Sequence, residues 1–89
     1  MHRIYKYVLL EADNQSIGMP TGAEILSVGE QNGELVMWAR VNPDNPHGLR
    51  NIVIKGTGHP IGAHELGRFI GTVIMLGGRL VWHVFEEAR

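Results

Sequence analysis

Residues 24–42 read EILSVGEQNGELVMWARVN, from Glu24 to Asn42, and this stretch decides the fold. Two apolar runs flank Asn32-Gly33, a pair preferred at the centre of a type I′ hairpin because both residues tolerate positive φ. The run after the turn alternates: Leu35, Met37, Ala39 and Val41 share one face, while Glu34, Val36, Trp38 and Arg40 share the other. Successive side chains of a strand point to opposite faces, so the first set is expected on the core.

The same pattern of short apolar runs between turn residues continues on both sides. Strands are expected over Arg3–Glu11, Glu24–Glu30, Glu34–Asn42, Arg50–Lys55, Arg68–Leu76 and Arg79–Glu86. Between the first two lies a loop ending in Met19-Pro20-Thr21-Gly22, with Pro second and Gly fourth as in a type I turn. Pro43 and Pro46 keep residues 43–48 out of a sheet ladder. Gly77-Gly78 reads as a second tight hairpin. Twelve glycines in 89 residues support the same reading. The fold class is all-β, one domain over residues 1–89, with about six antiparallel strands in a small sandwich or barrel. At most one helical turn is expected near 60–68: Ile61, Glu65 and Phe69 are four apart, but Gly62 and Gly67 weaken a helix. Phe69–Leu76 and Arg79–Glu86 are apolar on both faces, more than a single small sandwich covers, so a homo-oligomer is expected.

The charge balance narrows the partners. Eight Lys plus Arg stand against nine Asp plus Glu, spread along the chain. Duplex nucleic-acid binding normally needs a basic excess or stripe, so it is disfavoured. The longest apolar run has five residues, too short for a membrane span, and Met1–Lys6 does not read as a signal peptide. The absence of cysteine removes disulfides and thiolate metal sites and fits a reducing compartment.

The stretch that invites chemistry is Gly56-Thr57-Gly58-His59. Glycines let backbone N–H groups converge into an anion-binding nest, Thr57 adds a hydroxyl and His59 a ring donor. Lys55 and Arg50 lie on the strand leading in. Arg40 supplies a further cation, and Trp38 beside it a ring for stacking. These eight residues make up the expected ligand-binding set. The bland reading of the glycines is a corner where the chain leaves a sheet. Catalysis is not expected: neither Ser16 nor Ser27 sits in a nucleophile elbow, and Glu24, Glu30 and Glu34 read as hairpin solubilisers. His59, His64 and His83, with Glu65, lack a known metal spacing, so no metal or cofactor is expected. Trp82 and His83 read as packed.

Lys6-Tyr7-Val8-Leu9, Met19–Val28, Met37–Val41, Gly56–His59, Phe69–Thr72 and Leu80–Glu86 together resemble a family of short proteins encoded by bacteriophages and prophages. The match spans nearly the whole chain. It departs at Met37, where leucine is usual. The resemblance implies a phage-associated cytoplasmic β-protein and carries no catalytic residues. By analogy of class, it suggests a counter-defence protein that sequesters a small anionic, nucleotide-like ligand. The alternative is a structural or protein-interaction module, such as a virion accessory piece or an inhibitor of a host protein.

Overall fold

A computed structural model of the chain describes residues 1–62 and 67–87. Seven strands form two antiparallel sheets: β1 (Arg3–Val8), β2 (Asn14–Pro20), β3 (Glu24–Gln31), β4 (Glu34–Val41), β5 (His47–Gly56), β6 (Arg68–Met75) and β7 (Leu80–Glu86). One sheet has the order β1-β4-β3 and the other β2-β5-β7-β6. The two stack as a sandwich, with β3 of the first packed beside β6 of the second. No described helix is long and apolar enough to cross a membrane.

The hairpin at Asn32-Gly33 forms as its sequence dictates. Asn32 (φ 53°) and Gly33 (φ 81°) both occupy the left-handed region. The Gly33 N–H also donates to a Glu30 carboxylate oxygen, at 2.6 Å. Leu35, Met37, Ala39 and Val41 of β4 face the core, as the alternation requires. They meet Ile52 and Ile54 of β5, Val73 and Met75 of β6 and Val84 of β7. Each of these side chains larger than that of Ala39 contributes about 1.5–3 kcal/mol on burial.

β1 ends at Val8 rather than Glu11, and four further features differ from the sequence reading. Asn14–Pro20 is a strand rather than a loop, pairing with β5 at the edge of its sheet. Ile17 and Met19 pack inward while Ser16 and Gly18 are exposed. Pro20 is tolerated because it ends an edge strand. The following turn is shifted one residue, to Pro20–Ala23: the Ala23 N–H donates to Pro20 O at 3.2 Å, and Gly22 (φ 80°) takes the third position of a type II turn. β5 begins at His47 rather than Arg50, because β2 gives Gly48 and Leu49 pairing partners. The β6–β7 connection holds four residues, with Leu76, Gly77 and Gly78 all at positive φ, and its single 3-10 turn is the described helical content. Residues 60–62 carry no helix; the rest of the expected helical turn falls on 63–66, outside the described residues.

β7 is central in its sheet, which explains its two apolar faces. β6 is an edge strand. β5 and β6 point the same way with β7 between them. The Gly56–His59 stretch leaves the end of β5.

Candidate functional site

Gly56–His59 is a β-turn, closed by the His59 N–H donating to Gly56 O at 3.0 Å. Gly58, with φ 86°, takes the third position of a type II turn, which disfavours a side chain. Gly56 is required for a different reason. A Cβ there would lie 2.7 Å from His59 Cε1. The imidazole folds back over the strand end, and its Nδ1 accepts the Gly56 N–H at 3.2 Å. With Nδ1 accepting, the proton of the neutral ring lies on Nε2. The Thr57 N–H donates to Val81 O at 3.4 Å. Three of the turn's N–H groups are thus used within the protein, and they do not converge on a nest. The glycines serve the corner and the ring. The Thr57 hydroxyl and the two histidine-bearing walls carry the polar chemistry.

Thr57 reaches the outward face of the sheet, where its Oγ1 lies 2.8 Å from His83 Nε2. Thr72 Oγ1 lies 3.0 Å from His83 Nδ1, so the ring is held between two hydroxyls. Lys55 is the cross-strand neighbour of His83 on the other side. It is buried, 6% exposed, with Nζ 3.9 Å from an Asp13 carboxylate oxygen. The sequence reading treated His83 as packed among aromatics. Its contacts with Thr57 and Thr72 follow from β7 lying between β5 and β6, an order that alternation along one strand does not disclose.

The remaining expected site residues lie elsewhere. Arg50 sits toward the opposite end of β5, five residues from Lys55. Its guanidinium makes a two-point pair with Glu86 and donates to Ala23 O at 2.8 Å. The hydrogen bond to Glu86 raises its pKa above the ordinary arginine range, against the effect of partial burial. Trp38 and Arg40 are on the outward face of the other sheet. Arg40 pairs with Glu24 at 2.9 Å. Trp38 lies half-buried across Gly29, whose Cα could not carry a Cβ without a 3.1 Å approach to the indole. A ligand on Gly56–His59 of one chain therefore cannot also stack on that chain's Trp38.

The structure instead brings Gly56, Thr57 and His59 beside the start of β7. Gly56 is the register partner of Trp82. Together with Arg79, Leu80, Val81 and Trp82 these residues line a cleft of about 180 Å³. His59 and Trp82 meet edge-on, with centroids 6.5 Å apart and planes at 68°. Trp82 Nε1 is buried without an acceptor among the described residues. The Arg79 side chain has no hydrogen-bond or ion-pair partner among them. A second hollow of about 260 Å³, lined by Asn14, Gln15, Ser16, Asn51 and Glu87, is different. Its groups bond one another: Ser16 to Asn51 at 2.7 Å, and Asn51 to Glu87 at 3.3 Å. It holds a carboxylate and no cation. Among the described residues no three His, Asp or Glu side chains gather as a metal set. His64 and Glu65 lie outside those residues.

The fold and site define an antiparallel β-sandwich with a small cation-bearing cleft at one end. Over residues 1–89 the chain matches the domain of unknown function DUF7352, and it belongs to that family. No curated protein matches it. No solved structure matches it.

Proposed function

We propose that this domain is a non-catalytic binding protein that holds a small anionic ligand in the end cleft. Arg79 carries the reading. It is a guanidinium without a protein partner among the described residues, at a cleft shared with Thr57, His59 and Trp82. The other cations near the expected set are engaged: Arg50 with Glu86, Arg40 with Glu24, and Lys55 beside Asp13. Guanidinium groups suit two-point contact with carboxylate or phosphate oxygens. The resemblance to phage and prophage proteins suits an accessory protein of the host cytoplasm that sequesters a small anionic ligand without cutting it.

The test is calorimetry and thermal melting with inorganic phosphate, mononucleotides, cyclic dinucleotides, sugar phosphates and small carboxylates. A ligand bound only by the folded chain at a hundred times its Kd adds about 2.7 kcal/mol of stability. Arg79→Gln is expected to abolish that gain. No stabilisation by any member of the panel would sink the reading.

A second reading, a protein-interaction module, is favoured by one observation. Phe69, Ile74 and Leu76, along β6 and its following loop, are 54%, 64% and 63% exposed. Self-association through that patch is compatible with ligand binding, and both belong to the proposal.

A further inference from the structure

The cleft's size and charge narrow the ligand. We infer that it takes a singly charged carboxylate on a flat ring of benzene size, rather than a whole nucleotide or a phosphomonoester. This inference rests on the anion-binding reading above. Three observations carry it.

The first is volume. The cleft, open to solvent on one side, offers about 180 Å³. A cavity of about 150 Å³ lined by Leu, Ile and Phe is enough to bind benzene, whereas pockets for larger organic ligands run from about 300 to 1,000 Å³. One six-membered ring with one carboxylate fills it; of a base, sugar and phosphate only one part would lie inside and the rest would stay in solvent. The second is charge. Arg79 is the one cationic side chain among the lining residues. Lys55 is turned toward Asp13 on the outward face. His59 keeps Nδ1 as an acceptor for the Gly56 N–H, so in that arrangement it offers a neutral N–H donor at Nε2. A single guanidinium balances one negative charge and matches the two oxygens of a carboxylate. A phosphomonoester, with close to two charges, would have one of them left without a protein partner. The third is the wall. Leu80, Val81 and the Trp82 indole give the ligand's body an apolar surface, and the edge-on His59 ring closes one side. An aromatic ring recovers burial energy there that a ribose would not.

The experiment uses ligands with one ring and different heads: benzoate, phenylphosphonate and neutral benzyl alcohol, with adenosine monophosphate as the larger anion. Calorimetry on the unaltered chain gives the ranking. Emission from Trp82 in a Trp38→Phe background reports occupancy of this cleft, since the only other tryptophan is then absent. Benzoate is expected to bind at least about tenfold more tightly than phenylphosphonate or benzyl alcohol, and Arg79→Gln to weaken it by about tenfold or more. Tighter binding of phenylphosphonate or the nucleotide would overturn this inference and leave the anion-binding reading intact. Benzoate binding unaffected by Arg79→Gln would overturn it as well, because the ligand would then sit elsewhere. Silence across all four ligands and the wider panel would overturn both. If Trp38→Phe does not fold, the calorimetric ranking with Arg79→Gln decides alone.

Discussion

At the scale of single residues, Gly56 ties the corner to the cleft. It is the register partner of Trp82, its N–H fixes the His59 ring, and it leaves no room for a Cβ. Gly56→Ala should therefore push the imidazole off Nδ1 contact and out of the cleft wall. The lost hydrogen bond is worth about 1 kcal/mol. For a domain of this length that lowers Tm by about 4–8 °C. Ligand affinity should fall at the same time, because His59 no longer closes the cleft. An unchanged Tm with an unchanged His59 imidazole NMR spectrum would refute the account. The glycine content of this turn was legible in the sequence, and so was the corner it makes. The use of the N–H groups was not. Whether they face a ligand or close on His59 Nδ1 and Val81 O depends on where β7 lies, some 25 residues further along the chain. Arg79 was passed over for the same reason: only the β5–β7 pairing sets it beside Thr57.

At the scale of elements, alternation decided most strands, and it failed where polar residues diluted it. In Asn14–Pro20 only Ile17 and Met19 mark the inward face. Two large apolar residues before a proline do not stand out from a loop. What makes this segment a strand is the edge of β5, a tertiary partner. The two sheets are then joined across their end by Arg50, which reaches from β5 to Glu86 of β7 and to the carbonyl of Ala23 at the entry to β3. The sequence reading assigned Arg50 to ligand binding because a cation on a strand next to a glycine turn invites it; the arginine is instead spent on holding the sheets in place. Its raised pKa gives the sign of the pH effect. The pair's guanidinium side contributes fully at every pH below the ordinary arginine range and is lost only above it. Arg50→Met strands the Glu86 carboxylate, 17% exposed, and leaves Ala23 O unpaired. Breaking a fully buried pair costs about 3–5 kcal/mol; with both side chains partly open to water, about 2 kcal/mol is expected here. Chemical denaturation should show that loss as a lower midpoint at constant slope. A change within error would mean that the pair is fully solvated in solution. Ligand affinity should be unaffected, since Arg50 lies away from the cleft.

At the scale of the whole molecule, the apolar surplus inferred from the sequence takes a definite place. β7 is flanked by β5 and β6 and keeps its side chains half-buried or buried, while β6 leaves Phe69 and Ile74, and the loop after it Leu76, exposed. Natural edge strands are usually guarded by charge, proline or a bulge. β6 has a register shift between Phe69 and Gly71, Arg68 at its start and β3 beside it, but its outward face from Thr72 to Leu76 carries no charge. A net charge of −1 gives little mutual repulsion. The long edge of β6 already lies beside β3, so two copies would meet over this outward apolar patch and cover it. The expected outcome is a solution mass near twice the 9.9 kDa of one chain at micromolar concentration, by light scattering or sedimentation. Ile74→Lys together with Leu76→Lys should return it to a single chain without lowering the high-dilution Tm, because neither side chain belongs to the core. A clean monomer in the unaltered protein contradicts the proposal. The same experiment bears on the cleft. Leu76 stands three residues before Arg79, in the loop that delivers the guanidinium to Thr57 and His59. Association that orders this loop lowers the cost of positioning Arg79, so ligand should bind more tightly to the dimer. By reciprocity the ligand should then shift the monomer–dimer balance toward the dimer by the same factor. A ligand that binds the lysine variant as tightly as the parent would show that the two surfaces act independently.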